Sequence, residues 1–374
     1  DGSNVEDFIA QLAKDFPPQE GKSAGAVPSF SLTLSRGTIQ LEDQVAGQRW
    51  ELAGVQVDAD FPKSQGPRIG KMAAVLKHIP GTTGKAAIGK STSAEILPGE
   101  IAAELNWQPT QPVDGKPEGL GAGKVTCELK SLPVEVAQGA LRRFAGDIRP
   151  AGAVTGSLLY EWKDDLAAQR LELTKLSSPQ LSLAAPAYLG TDKPSLRLTS
   201  ASGGIEIAGK RLLLDRLQIQ SDVAALSASL AGDTPTLDLA GILAAVQSTK
   251  KDDGIEVSGE IDLAAVAQRL PQTLRLRQDT RITEGLLEFS VKSGFSPQGD
   301  RSWEATANTS RITAETAGRK VAWDQPVEFA ATARHTKTGI VIDRLSGKSS
   351  FATLQGQGTL EAGTLTANAD LDKL

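Results

Sequence analysis

The sequence is poor in the residues that most often carry enzyme chemistry. Its 374 residues include two His and one Cys, which excludes nearly every His/Cys metal site and any internal disulfide framework. Aromatic residues make up only 4% of the chain. With 40 Lys and Arg against 45 Asp and Glu, the formal net charge is −5, which disfavours nucleic-acid binding because phosphate neutralisation needs clustered Lys and Arg. These counts favour a protein without a cofactor and without an enzymatic centre.

Long apolar runs are also missing. The longest runs have only a few residues, for example Leu212–Leu214, whereas a transmembrane helix needs about 20. The sequence shows no signal peptide, and it begins at Asp1 rather than Met. We therefore expect a processed chain or an excised piece of a longer protein, from which a targeting or anchor segment has been removed.

The clearest predicted helix covers residues 3–16. Ser3 and Glu6 have the spacing of a capping box. Five apolar residues fall on one helical face: Val5, Phe8, Ile9, Leu12 and Phe16. Such a helix can pack on its own domain, close the end of a sheet or dock on a partner. Residues 17–28 then form a Pro/Gly/Ser linker.

From Ser29 onward the sequence alternates with period two, which is typical of half-buried antiparallel strands joined by short turns. We divide this part into β-repeat regions at 29–150 and 151–374. Helical patterns are few and short, and they predict helices at 69–79, 134–144, 239–247 and 262–270, the last capped by Asp262. Since strands and helices do not alternate regularly, a doubly wound α/β fold is not expected.

The chain contains an internal echo. Asp215–Leu226 (DRLQIQSDVAAL) and Asp343–Leu354 (DRLSGKSSFATL) share six of twelve residues. A weaker echo relates the Gly-Glu-Ile triplets at 99–101 and 259–261. Self-similarity of this kind predicts a sheet built by repeating one hairpin unit.

Two motif matches have unsuitable surroundings. Gly84–Ser91 satisfies the phosphate-binding pattern G-x-x-x-x-G-K-[ST], but no buried strand precedes it and Pro98 follows too soon for the required helix. Gly21–Gly25 satisfies the nucleophile pattern G-x-S-x-G inside the linker, and a catalytic Ser would need His78 or His335 as its base. We interpret both as loops, and a nucleotide-dependent enzyme using Gly84–Ser91 is retained as a minor hypothesis.

Three further features have plain interpretations. The pairs Asp164-Asp165 and Asp252-Asp253 lie in polar stretches and predict solvated turns. Cys127 is expected to be a small apolar side chain in a strand. His78 is placed in the predicted helix at 69–79 and His335 in a strand, without a catalytic role for either.

Three segments resemble those of bacterial AsmA-like proteins. The run Gly259–Pro271 is similar to the family's G-x-[IL]-D-L-A-x-[LV]-A-x-x-L-P segment and is followed by a strand opening at Arg281. Leu34–Phe61 resembles the recurring hairpin of that superfamily, and the two DRL segments resemble later copies of it. The resemblance implies a long, twisted antiparallel sheet curled into an open groove with an apolar inside.

The same resemblance implies a place and a role. AsmA-like proteins are usually tethered in the inner membrane by an N-terminal helix, reach across the periplasm, and are thought to conduct phospholipid toward the outer membrane or to assist envelope assembly. The expected partners are therefore phospholipid or another acyl lipid, together with envelope membrane proteins, and no nucleic acid.

A one-sided apolar sheet must be covered by another layer or left open for a ligand. Acyl chains suit an unspecific aliphatic lining, because their burial contributes about 0.8 kcal/mol per CH₂ without directional contacts. The candidate lining residues are Phe30, Leu32, Leu34, Ile39, Leu41, Trp50, Leu52, Leu212, Leu214, Leu287, Phe289, Ile340 and Ile342. The alternative is that these residues form the closed core of a structural or adhesive β-repeat module without a ligand.

Overall fold

A computed structural model gives the structure of the chain. It describes residues 30–43, 48–61, 67–79, 96–110, 119–138, 141, 148–234, 253–296, 299–323, 325–336, 339–359 and 361–370. Several predictions fall outside these ranges and stay predictions. They are the helix at 3–16 with its linker, the helix at 239–247, Gly21–Gly25 and Gly84–Ser91.

The described residues are mainly β-strands. The first ten are β1 Phe30–Asp43, β2 Gln48–Phe61, β3 Arg68–Ile79, β4 Gly99–Thr110, β5 Gly119–Pro133, β6 Arg149–Lys163, β7 Ala168–Ala184, β8 Ser195–Ala208, β9 Arg211–Ser221 and β10 Ala224–Asp233. The other ten are β11 Gly254–Asp262, β12 Thr280–Glu284, β13 Leu286–Phe295, β14 Arg301–Thr309, β15 Ile312–Thr316, β16 Arg319–Trp323, β17 Glu328–Thr336, β18 Gly339–Lys348, β19 Ala352–Thr359 and β20 Gly363–Ala369.

Seventeen strands form one antiparallel sheet, the main sheet, and β12, β15 and β16 form a second sheet of three strands. In the main sheet each strand pairs with the next main-sheet strand along the chain, from β1–β2 to β19–β20. Among the described residues β1 and β20 each pair on one side only, so the sheet is open. The predicted mainly β, antiparallel architecture is confirmed. β6 spans the boundary at 150–151, and the sheet continues across it.

The two ends of the main sheet differ in their connections. At one end, which we call the capped end, long segments join the strands, namely 134–148, 185–194, 263–285 and 310–327. At the opposite end, the hairpin end, the connections 164–167, 209–210, 296–300 and 337–338 are short. The connection 234–253 also belongs to the hairpin end, but most of it lies outside the described residues. The second sheet is built from the capped-end connections.

Helices are few and short among the described residues. They include α1 Pro186–Leu189, α2 Leu263–Arg269 and two 3₁₀ turns at Val134–Ala137 and Asp164–Leu166. The predicted helix at 262–270 is confirmed with its cap, because the Asp262 carboxylate accepts a hydrogen bond from the Ala265 N–H at 3.0 Å. The predicted helix at 134–144 is described in part, with the first 3₁₀ turn followed by α-helical residues at Gln138 and Leu141. Among the described residues, no helix has the length and apolarity that crossing a membrane requires.

The predicted helix at 69–79 is wrong, because this segment is β3. Its apolar residues do not share one helical face. Met72 and Leu76 point to the more buried side of the strand, whereas Ile69 and Val75 point to the other side. Apolar residues on both faces of a strand imitate helical spacing, and His78 therefore also lies in a strand.

Bulges recur in the main sheet at a four-residue motif in which the first and fourth residues share one face. The motif occurs at Leu34–Gly37, Leu52–Val55, Leu129–Leu132, Leu173–Leu176, Leu214–Leu217 and Ile342–Leu345. In five of these the third residue has a positive φ, namely Arg36, Gly54, Ser131, Lys175 and Arg216. A bulge adds one residue to a strand and bends it. After each bulge, side chains again alternate between the two faces of the sheet, and the residue that follows the bulge points to the same face as the residue before it.

Candidate functional site

The pairing register shows that the main sheet has two chemically different faces. Partners in an antiparallel pair point to the same side of the sheet. One row of partners crosses β4 to β11 and consists of Leu105, Val125, Tyr160, Leu171, Ile205, Leu214, Leu230 and Ile255. A second row crosses β11 to β18 and consists of Val257, Val291, Ala305, Ala331 and Leu345. We call this side the apolar face.

The opposite side, the polar face, carries ion pairs that join neighbouring strands. They include Lys71–Glu104 at 2.9 Å, Lys130–Glu100 at 3.0 Å, Lys292–Glu256 at 2.7 Å and Arg334–Asp343 at 2.7 Å. Exposed pairs of this kind contribute little to stability. Their presence shows instead that water contacts this face, so the sheet has one solvated side and one apolar side.

The structure brings the predicted lining residues to the apolar face. Twelve of the thirteen share it by register: Leu32, Leu34, Ile39, Leu41, Trp50, Leu52, Leu212, Leu214, Leu287, Phe289, Ile340 and Ile342. Phe30 lies in β1, where its backbone is opposite Phe61. The residues of β1 and β2 join the rest of the face through Val57, Met72, Ala103 and Cys127.

Exposure divides these residues into two groups. Leu34 is 43% exposed and Ile340 is 37% exposed, so both side chains are open to solvent. Trp50 and Leu212 are instead buried, at 2% and 6%. Leu212 packs with Leu230 and with partly buried neighbours. The buried residues act as packing positions, whereas the exposed ones offer apolar surface to a ligand.

A buried charge cluster lies on the same face at the hairpin end, and the sequence analysis did not predict it. Arg301, at the start of β14, is 1% exposed. Its Nη1 donates to the Asp253 carbonyl oxygen at 2.5 Å, and its Nη2 donates to Ser293 Oγ at 2.8 Å. Burial lowers the pKa of Arg301, and the negative charge of Asp253 opposes that shift.

Asp253 was predicted to lie in a solvated turn, which is wrong, because its side chain is fully buried and binds Arg211. Asp165 does lie in a turn, but its carboxylate accepts hydrogen bonds from the Gly121 N–H and from Thr110 Oγ1. No short-range pattern marks either residue, since their partners come from strands distant in the sequence.

Three other features of the described residues bear on chemistry. A depression of about 510 Å³ lies mostly against the polar face and is lined by side chains such as Gln56, Glu100 and Lys130. No group of three or more His, Cys, Asp or Glu side chains suited to a metal ion occurs among the described residues. Burial raises the pKa of Cys127 on the apolar face, which keeps the thiol protonated and unreactive.

Comparisons of the chain with family models, with curated proteins and with solved structures give no match.

Proposed function

We propose that the chain is a non-enzymatic lipid-binding protein of the AsmA-like kind, whose apolar face holds or conducts acyl chains. The observation that carries this proposal is a continuous apolar face on an open 17-stranded sheet, with large side chains such as Leu34 and Ile205 still 43% and 38% exposed. An apolar surface of this extent normally marks a binding site.

The chemistry of the face suits acyl chains better than a specific small molecule. Its rows are aliphatic, with Leu, Val, Ile and Ala from neighbouring strands. Each methylene group removed from water contributes about 0.8 kcal/mol, independently of orientation. A lipid can therefore occupy many equivalent positions along the face, which suits transport as well as storage.

The bulges support the idea that repeated hairpins curl the sheet into a groove. Gly156 lies against the bulge at Lys175, and Gly203 lies against the bulge at Arg216. An added Cβ would be 2.7 Å from Leu176 Cα at the first glycine and 2.7 Å from Leu217 Cα at the second. Bulges in β5, β7 and β9 thus follow one another across the sheet. Aligned bulges bend successive strands at the same level, which is how a sheet acquires curvature.

The cellular role follows from the resemblance and is part of the proposal. A lipid-carrying sheet tethered to the inner membrane and reaching across the periplasm would guide phospholipid toward the outer membrane or assist outer-membrane assembly. Envelope membrane proteins would then be its partners. The lipid itself is the ligand, so no cofactor is required.

Native mass spectrometry with lipid extraction, together with titration of a fluorescent acyl probe, tests the proposal. Ile342→Glu should weaken probe binding, because it places a charge on the apolar face. Val341→Glu is the matched control, because Val341 points to the polar face, where Arg334 is its partner. A lipid-free chain that takes up no probe, or equal binding losses in the two variants, would contradict lipid binding.

A structural β-repeat module is the second candidate, and the buried clusters favour it. Trp50, Val55 and Leu76 are each no more than 2% exposed, as in a closed core. If the whole face were closed in this way, acyl probes would find no surface. The probe titration therefore decides between the two candidates.

A further inference from the structure

The capped end of the main sheet carries an ordered segment, residues 270–279, which we call the strap. It contains no long helix or strand, yet its backbone is internally bonded. The Leu274 N–H donates to the Leu270 carbonyl at 3.0 Å, and the Leu276 N–H donates to the Pro271 carbonyl at 2.9 Å. The strap follows α2 and leads into β12, the first strand of the second sheet.

Side-chain bonds hold the strap against the connection between β7 and β8. Asp192 is buried, and its carboxylate accepts from the Thr273 N–H at 2.7 Å and from Thr273 Oγ1 at 2.8 Å. Thr273 Oγ1 also lies 3.2 Å from the Leu189 carbonyl oxygen, to which it can donate. The strap and α1 therefore form one surface with fixed positions.

A second bond ties this surface to the main sheet. Arg269 in α2 binds the Asp222 carboxylate through two N–O contacts, at 2.7 and 3.3 Å. Asp222 lies in the turn between β9 and β10, at the capped end. The surface is thus anchored both to a neighbouring connection and to the strand ends.

This anchored surface presents apolar side chains to solvent. Tyr188 of α1 is 70% exposed, and Leu274 of the strap is 45% exposed. Tyr188 precedes Leu189 and Leu274 follows Thr273, and Thr273 and Leu189 are in contact. Tyr188 and Leu274 therefore lie near each other at the capped end. Fixed, exposed apolar side chains at the end of a sheet are typical of a surface that meets a partner.

The same surface is basic in an acidic chain. Residues 271–281 contain three Arg and one Asp, whereas the whole chain has a formal net charge of −5. Arg275 is exposed and has no ion-pair partner among the described residues. The Arg277 side chain is 78% exposed, and its Nη2 lies 3.2 Å from the Asp279 carboxylate. The local charge therefore complements a negatively charged surface.

We propose that the capped end docks on a phospholipid bilayer with anionic headgroups. Tyr188 and Leu274 would enter the headgroup region, where Tyr is favoured because one end of its side chain is apolar and the other polar. Arg275 and Arg277 would bind lipid phosphates. The proposal rests on the proposed function, since a lipid conduit must meet a membrane, but it has a separate readout.

Cosedimentation with vesicles tests the docking surface. One vesicle type is phosphatidylcholine alone, and the other contains equal parts of phosphatidylglycerol and phosphatidylcholine. The variants are Arg275→Gln with Arg277→Gln, and Tyr188→Ser with Leu274→Ser. The matched control is Lys71→Gln with Arg216→Gln, which removes two exposed basic residues far along the strands from the strap. Circular dichroism checks that every variant is folded.

We expect the chain to bind the anionic vesicles and not the neutral ones. Removing the two strap arginines should weaken binding about 30-fold, since each basic residue near an anionic membrane contributes about 1 kcal/mol. The apolar variant should also weaken it, and the control should bind like the unaltered chain. No binding to anionic vesicles, or equal losses in the control, would overturn the proposal.

Acyl-probe uptake measured without vesicles separates this proposal from the proposed function. The strap variants should take up the probe normally, because the strap is not part of the apolar face. If the unaltered chain binds anionic vesicles but takes up no probe, docking stands and lipid conduction fails. If it takes up probe but binds no vesicle, the docking surface is refuted and the apolar face retains its function.

Discussion

The three consecutive leucines of β9 allow a sharp test of the two-faced sheet. Leu214 is opposite Ile205 and Leu230 on the apolar face. Leu213 is opposite Glu206 and Ala231 on the polar face and is 38% exposed. The same substitution, Leu→Arg, should therefore weaken ligand binding at position 214 and leave it unchanged at position 213.

The expected loss of binding free energy depends on how much of the apolar face the new side chain keeps a ligand from contacting. If the guanidinium of Leu214→Arg keeps about three methylene groups of an acyl chain from the face, about 2.4 kcal/mol of burial is lost. That loss corresponds to roughly 50-fold weaker binding. At position 213 the new Arg would lie beside Glu206, where an opposite-charge pair across strands contributes about 0.2–1 kcal/mol.

The stability cost at Leu214 must be separated from the binding effect. Full burial of a Leu side chain contributes about 1.5–3 kcal/mol, and Leu214 is only partly buried against the Leu212–Leu230 pair. An Arg side chain can also direct its charge into water from an open face. We expect Leu214→Arg to remain folded, with a free energy of unfolding lowered by about 1–2 kcal/mol.

The assay is titration of a fluorescent acyl probe at fixed protein concentration, with urea denaturation in parallel. Leu34→Arg and Thr33→Arg repeat the comparison on β1, where Leu34 is 43% exposed and less burial is lost. Equal probe affinities for Leu213→Arg and Leu214→Arg, in folded proteins, would refute the assignment of ligand binding to the apolar face.

Three further predictions concern the structure itself. Arg269 donates hydrogen bonds to the Asp222 carboxylate and lowers its pKa. The ionised carboxylate therefore stabilises the fold at pH values above its unfolded pKa of about 3.9, and this stabilisation is lost as the pH falls through the lower pKa of the folded state. Asp222→Asn should therefore lower the free energy of unfolding by about 0.5–1 kcal/mol at neutral pH, with no difference near pH 2 in urea melts. Arg301→Met should cost about 3 kcal/mol, because it removes the hydrogen bonds to the Asp253 carbonyl oxygen and to Ser293 Oγ and takes a positive charge away from the buried Asp253. Lys71→Met on the polar face should change stability by less than about 0.5 kcal/mol. A loss below about 1 kcal/mol for Arg301→Met would contradict the buried cluster. Gly203→Ala should be more destabilising than Gly209→Ala in the same assay. Both glycines have positive φ, but only at Gly203 would the added Cβ lie 2.7 Å from Leu217 Cα. Equal losses of stability would contradict this close approach.

The alternating pattern was enough to predict most strands of the main sheet. The alternating sequence of residues 211–221, for example, coincides with β9. The alternating sequence of residues 303–313 is instead divided between β14 and β15, because the chain leaves the main sheet there for the second sheet. Propensity and alternation act locally, so they indicate a strand but not the sheet to which it belongs.

The long-range polar contacts could not be predicted. Asp253 and Arg301 are 48 residues apart, and Asp192 and Thr273 are 81 residues apart. A single Asp in a polar stretch predicts a solvated turn, because nothing nearby in the sequence indicates a partner. Only the pairing of distant strands brings the buried cation and the buried carboxylate together.

The recurring bulge gives the internal echo a physical meaning. In both DRL segments, the residue before Asp and the Leu after Arg pair with residues on the apolar face, whereas Asp and Arg occupy the bulge. An apolar residue therefore recurs three positions later rather than two, which departs from strand spacing and imitates a helical turn. A bulge places two residues between successive apolar positions, where a regular strand has one. The apolar residues before and after the bulge point to the same face, so the strand can stay apolar on one side along its whole length. The bulges in β5, β7 and β9 lie at one level across the sheet, so the apolar face stays continuous past them. Under the proposed function, an acyl chain would lie along this continuous face.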